Sequence, residues 1–323
     1  SLSITPGDRG IVAILQELST GSDEEMYTIT ATAPNYPEGA TAADKKLAAE
    51  ALKKAKTVLL CKLPDMHDGD AVERMLEKLK TVSFQTLCYP YDGEHEANKV
   101  MIAAWIKAMR ENEGKKCQAV LANYAADNEG IINVAQGVIL YGQDTLTAAE
   151  VTAWVAGATA GARITASNTG MKYEGAIDVV PRMTKSEQEA AVSAGTFIFK
   201  TDSTQNVTVV YDINSMTSVS EEKSKAFTKN RVIRTIDNVA NDLASIFESN
   251  YLGKVNNNDI GRSRLKAIFV DYFATLQNME AIQAFSPDDI EVAAGTDVDA
   301  VTVNCNIQLV DSVEKIYISV NLS

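Results

Sequence analysis

The chain has 323 residues, 46% of them hydrophobic and 23% charged, with a mean hydropathy of −0.10. That length suffices for one large domain or two ordinary ones with proper cores. The formal net charge of −13 argues against the cationic surface that nucleic acid binding needs, so no nucleic acid partner is expected. No apolar run is long enough to span a bilayer, and the N-terminus lacks a basic-then-apolar signal pattern, so direct membrane insertion is not expected either.

In chain order, Gly10–Leu15 is a short apolar run with strand character. Pro34, Pro37 and Gly39 mark a loop, and Ala42–Lys56 reads as a helix. Strands and helices then alternate. Thr57–Cys61, Val82–Cys88 and Cys117–Ala122 are apolar strands, with helices over Ala71–Lys80 and Glu96–Arg110 between them. Two further strands, Ile131–Val134 and Gly137–Leu140, follow. Alternation of this kind implies a mainly parallel sheet covered by helices on both faces. Thr147 and Glu150 form a capping box that opens a helix whose Val151, Trp154, Val155 and Ala158 share one face. Gly157 and Gly161 on that helix predict close backbone packing.

Thr184 and Glu187 form a second capping box, opening a short helix closed by Gly195. Strands at Thr196–Lys200 and Val207–Tyr211 come next. A long helix from about Lys225 to Ser249 buries Val232, Ile236, Val239, Leu243 and Phe247 at one-face spacing. Gly261–Ala281 is a further helix. Val301 to Leu309 alternates strictly, as does Ile316 to Val320, and both read as strands. The order of elements changes near residue 180. The expected architecture is therefore an α/β domain over residues 1–180, with a mainly parallel sheet core and flanking helices, followed by an α+β C-terminal domain over 181–323. The segment Val310–Val320 would leave a strand at the chain end, free to pair with another molecule.

The chain carries few residues in patterns that point to chemistry. Cys61, Cys88, Cys117 and Cys305 contain no CxxC pair and read as buried free thiols. The two histidines, His67 and His95, each sit in a polar loop between a strand and a helix, where a parallel α/β sheet can host an active site. Neither spacing matches a metal-ligand set. Walker A, GxGxxG and GxSxG patterns are absent. A doubly wound enzyme using these loops is the rival reading, and it lacks a convergent polar constellation. Arg231 and Arg234, with Asp237 nearby, read either as a surface ion-pair network or as a charged contact to another subunit.

In combination, several segments resemble the contractile tail sheath proteins of phages, prophages and phage-tail-like bacteriocins. They are Ser3–Gly10, Leu146–Glu150, Trp154–Gly157, Ala160–Ala162, Thr184–Glu187, Arg231–Asp237, Asn241-Asp242, Asn250–Asn257, Arg264–Lys266, Val301–Leu309, and Val310-Asp311 with Glu314–Tyr317. The resemblance implies a structural subunit, not an enzyme, with no cofactor and no metal. Such subunits assemble in the bacterial cytoplasm as stacked hexameric rings around an inner tube. They contract on a baseplate trigger and drive the tube through a target envelope, with tail tube, baseplate and tail terminator proteins as partners. It further implies an inter-subunit strand at Glu314, Lys315, Ile316, Tyr317, Ile318, Ser319 and Val320, and candidate tube or neighbour contacts at Arg231, Arg234, Lys254 and Arg264. Sheath proteins usually carry an N-terminal arm ahead of the segment matching Pro6–Gly10, and here almost nothing precedes it, so poor polymerisation is expected of this chain. Leu63-Pro64 runs directly toward the helix at Ala71, which implies a compact form without the outward-facing inserted domain that many members have.

Overall fold

Seven strands form the central sheet of the computed structural model, which describes residues 9–142, 144–312 and 314. The sheet is built from β1 (Ile11–Glu17), β2 (Met26–Thr30), β3 (Thr57–Leu63), β4 (Thr86–Cys88), β5 (Gln118–Ala122), β6 (Ile131–Val134) and β10 (Thr196–Phe197), in the order β10-β6-β5-β4-β1-β3-β2. Every pairing is parallel except β2 against β3 at one edge. The mainly parallel α/β core read from the sequence is therefore present.

Both faces of this sheet are apolar and both are covered. Val12, Ile14, Val58, Leu60, Cys88, Val120 and Ile132 point to one side, where α1 (Ala42–Leu52) and α4 (Ala148–Gly161) lie. Ala13, Leu15, Cys61, Leu63, Leu87, Ala119 and Leu121 point to the other, against α2 (Gly69–Leu79) and α3 (Glu96–Glu111). This is period-two alternation with a helical layer on each side, as parallel strands require. β1 lies between β3 and β4, so the chain reverses its direction of travel across the sheet there.

The capping boxes at Thr147/Glu150 and Thr184/Glu187 form as expected, and a third joins Thr41 to Asp44 at the start of α1. α4 differs from its one-faced reading: residues 151–160 are all buried, because the helix packs on the sheet and is itself covered by α1. The expected strand Thr196–Lys200 is split, β10 joining the central sheet and β11 (Phe199–Thr201) pairing with β12 (Val207–Val209). β7 (Gly137–Leu140) leaves the main sheet for a three-stranded one with β8 (Thr145–Leu146) and β9 (Ala176–Val180). Residues 82–85 are not strand, and only Thr86–Cys88 of that run pairs. β2 carried too little apolar signal to be read from the sequence.

By internal contacts the described chain makes two compact units. One spans Asp8–Arg163 and Asn168–Asp237 and holds the sheet, together with α5 (Lys185–Ser193). The other contains Ile164–Ser167 and the described residues from Asn238 onward. In the second unit α7 (Asp259–Asn278) supplies Leu265, Phe269, Tyr272, Phe273 and Leu276 to a core shared with Ile246, Tyr251, Ile282 and Ile290. β13 (Ile290–Ala294) and β14 (Val301–Cys305) form an antiparallel pair beside it. The helix expected over about 225–249 is α6 (Asn230–Asn250), preceded by a 3-10 turn. Cys61, Cys88 and Cys117 are buried free thiols; Cys305 is exposed, at the end of a strand that leaves one face half open.

Candidate functional site

Two polar clusters stand out in the sheet unit. The first gathers at the carboxyl ends of β1, β3 and β4, the point where the strand order reverses and where open α/β sheets hold ligands. Here the two histidines, far apart in sequence, stack with ring centroids 4.9 Å apart and planes 13° from parallel. His67 is buried. Its Nδ1 lies 2.6 Å from Glu17 Oε1, which also accepts from the His67 backbone N–H at 3.1 Å. His67 Nε2 lies 2.7 Å from the Tyr89 hydroxyl, which is 3.1 Å from His95 Nδ1 and accepts from Asn98 Nδ2 at 2.8 Å. The Tyr91 hydroxyl accepts from the Glu17 backbone N–H at 2.7 Å. Burial pushes the Tyr89 hydroxyl up to about 12, so it stays protonated at any ordinary pH. The residues a sequence search would need were visible singly; their convergence was not, because Glu17, Tyr89 and Tyr91 carry no motif.

The second cluster fixes the start of α6. Asp212 is fully buried. It accepts from the Asn168 backbone N–H at 2.8 Å, from Asn230 Nδ2 at 3.0 Å and from Arg234 Nη2 at 3.1 Å. Three residues after Arg234, Asp237 takes a two-pronged ion pair from Arg110 of α3, at 2.6 and 2.8 Å. Burial pushes the Asp237 carboxyl up, and the Arg110 charge and hydrogen bonds oppose that push. Burial disfavours charge on Arg110 as well, yet the pull of Asp237 holds its guanidinium above the ordinary value. We take both groups as charged, since the geometry is that of a fork-to-carboxylate pair.

The Arg231–Asp237 segment is thus neither a surface network nor an exposed contact. Arg231 and Arg234 are buried, 4% and 1% exposed, because their turn of α6 lies against the sheet unit. Lys254 and Arg264 are exposed. Lys254 Nζ donates to the Ser249 carbonyl at 2.5 Å, and Arg264 lines a shallow groove with Asp259, Ile260 and Ala267. The Asn250–Asn257 segment, which contains Lys254, makes internal ties: the Tyr251 hydroxyl donates to the Arg264 carbonyl at 3.1 Å, and Asn257 Nδ2 donates to the carbonyls of Val298 and Ala300 at 2.9 and 2.8 Å. Glu314 accepts from the Ser167 hydroxyl at 2.6 Å. Lys315, Ile316, Tyr317, Ile318, Ser319 and Val320 lie outside the described residues. No cluster of metal-ligating side chains and no helix long and apolar enough to cross a membrane occurs among the described residues.

Three family models cover nearly the whole chain in order. The N-terminal region of tail sheath protein Gp18 domain III matches 9–63, the phage tail sheath central domain 65–215, and the phage tail sheath C-terminal domain 222–323. The tail sheath protein of Clostridium phage phiCD119 is 30% identical over 285 residues, covering 85% of this chain and 76% of that protein. The chain belongs to the phage tail sheath family. The sheath tail protein from Desulfitobacterium hafniense has the same fold, with a TM-score of 0.85 at 32% identity over 98% of this chain and 97% of that one. The uncharacterized protein YqbK of Bacillus subtilis is 39% identical over 76% of this chain and 54% of its own length, so the chain spans about half of that relative. The fold recurs at 13% identity, with a TM-score of 0.74, in the contracted helical sheath of the anti-feeding prophage. The sheath relatives and solved neighbours are structural proteins and not enzymes, which replaces the rival reading of the His67 and His95 loops.

Proposed function

We propose that this tail sheath chain polymerises as stacked hexameric rings around an inner tube and contracts to drive that tube through a target cell envelope. Baseplate, tail tube and tail terminator proteins are its partners, and assembly takes place in the bacterial cytoplasm. The observation that carries the reading is the ordered succession of sheath family matches from residue 9 to 323, with few residues between them. The shared fold with a contracted helical sheath supports it.

We infer a tether between neighbours that draws on the C-terminal unit. β13 and β14 pair only with each other among the described residues, and a two-stranded ribbon is marginal by itself. A strand added from a neighbouring copy would extend the ribbon through backbone hydrogen bonds, which survive a rigid-body rotation of the two bodies they join. Glu314–Val320 is the proposed donor segment. Lys254 and Arg264, the exposed two of the four cationic candidates, are the proposed contacts to tube or neighbour.

The test is negative-stain electron microscopy of the full-length protein coexpressed with its tube protein, with and without residues 314–320. Long hollow striated cylinders that are lost on deletion are expected. Discrete closed particles from the undeleted protein would refute the polymer, and cylinders from both would refute the tether.

A further inference from the structure

The His67–Tyr89–His95 cluster belongs to no contact that the sheath reading uses, and its hydrogen bonds constrain one another. Tyr89 has a single hydroxyl proton and faces two imidazole nitrogens, at 2.7 Å on His67 and 3.1 Å on His95, while Asn98 donates to its oxygen. With both rings neutral one arrangement satisfies every group: His67 Nδ1–H donates to Glu17, Tyr89 O–H donates to His67 Nε2, and His95 Nδ1–H donates to the Tyr89 oxygen. A proton added at His67 Nε2 reverses the relay. That nitrogen then donates to Tyr89, whose O–H turns to His95 Nδ1, and the His95 proton moves to Nε2. No hydrogen bond is lost, and the imidazolium sits against the Glu17 carboxylate.

A second proton has no such solution. Both rings and Asn98 would then donate to one oxygen, the Tyr89 proton would have no acceptor, and two like charges would lie in stacked rings 4.9 Å apart. We propose that His67, Tyr89 and His95 form an acid-sensing relay that accommodates one proton and is broken by the second, releasing the Gly93–His95 turn from the end of the sheet. This goes beyond the sheath assignment and does not depend on it.

His95 is the ring that gives way. It is half-buried, on a single 3-10 turn ahead of α3, whereas His67 is buried and held at both nitrogens. Burial, then the neighbouring His67, holds the His95 imidazole below its ordinary value; Glu17 and Glu94 pull it upward and Lys99 adds to the lowering. Asp92, at the other end of the turn, is pinned by Lys99 Nζ and Asn123 Nδ2, both at 2.5 Å, which limits the release to Gly93–His95. Tyr91, whose hydroxyl burial pushes upward, stays neutral.

The chain has only two histidines, so a histidine-selective NMR titration of the full chain yields two ring signals. The expected result is that the two ring signals do not titrate together, and that the later step as pH falls, on His95, lies below the ordinary imidazole value because of burial and the neighbouring ring. Amide protection at residues 93–95, corrected for intrinsic exchange, should fall about tenfold through the later step only, while β5 is unchanged. His95→Gln, at a half-buried site, should abolish that fall. Coincident midpoints for the two rings would overturn the relay without any variant being needed, and so would an unchanged loss of protection in His95→Gln.

Discussion

The Arg110–Asp237 pair offers the sharpest test of how α6 is anchored. Both side chains are over nine-tenths buried, at 8% and 7% exposure, and the contact is bidentate. Asp237→Ala would leave the Arg110 guanidinium buried with the Cys117 carbonyl, 2.9 Å away, as its remaining acceptor among the bonds described. Breaking one side of such a pair costs about 3–5 kcal/mol, a large part of the roughly 5–15 kcal/mol that stabilises a domain. Replacing both partners, as in Arg110→Met with Asp237→Leu, removes the stranded charge and should recover most of the loss. The assay is urea unfolding followed by tryptophan fluorescence. Trp105 and Trp154, the chain's two tryptophans, both lie in the sheet unit and so report on the body that the pair belongs to. At a slope of about 2 kcal/mol per M, Asp237→Ala should lower the midpoint by roughly 1.5–2.5 M. The double variant should stay within about 1 M of the parent, which makes the coupling strongly non-additive. A single substitution costing less than about 1 kcal/mol, or costs that simply add, would refute the reading of Asp237 as an ionised partner that holds α6 in place.

Other outcomes follow from the same structure. Gly157→Ala would normally stabilise a helix by about 1 kcal/mol, but here a Cβ would sit 2.3 Å from the Ala51 carbonyl oxygen of α1, so a net loss of about 1–3 kcal/mol and a lower melting temperature are expected. An unchanged or raised melting temperature would count against the close α1–α4 packing. Asp44 is held down to about 2 despite burial, by hydrogen bonds from Ser19 and Thr41, and Asp178 to about 2, chiefly by Arg182. Because these folded-state values lie below the ordinary carboxylate value near 3.9, the stability they contribute is complete above that value and is lost as pH falls toward about 2. Urea midpoints measured down the acid range should drop in that window, and less steeply in Asp44→Asn, whose baseline is already lower. Neutralising Lys254 and Arg264 together should leave thermal stability within about 0.5 kcal/mol, since both are exposed, while shortening or abolishing sheath cylinders in the microscope. Normal cylinders would remove these two residues from the proposed interface.

Much of this protein was legible in the sequence. Local signals determined the elements that depend only on local chemistry. Capping boxes at Thr147 and Thr184 started helices where they were expected, apolar runs at Thr57–Cys61 and Cys117–Ala122 became central strands, and the paired glycines of α4 marked a close helix contact. The family resemblance came from ordered short segments spread along the chain. What the sequence could not give was any quantity set by distant partners. Arg234 looked like a surface charge because its ion-pair partner, Asp212, and the neighbours that bury it lie elsewhere in the chain. The strand over 196–200 read as one, yet its two ends pair with different sheets. His67 and His95 read as two unrelated loops, and only the reversal of strand order around β1 stacks them. Helix starts and strand runs are fixed by interactions within a few residues. Burial of a charge, the pairing of a strand edge and the meeting of two rings depend on contacts that cross tens of residues, and these come into being only when the chain has folded.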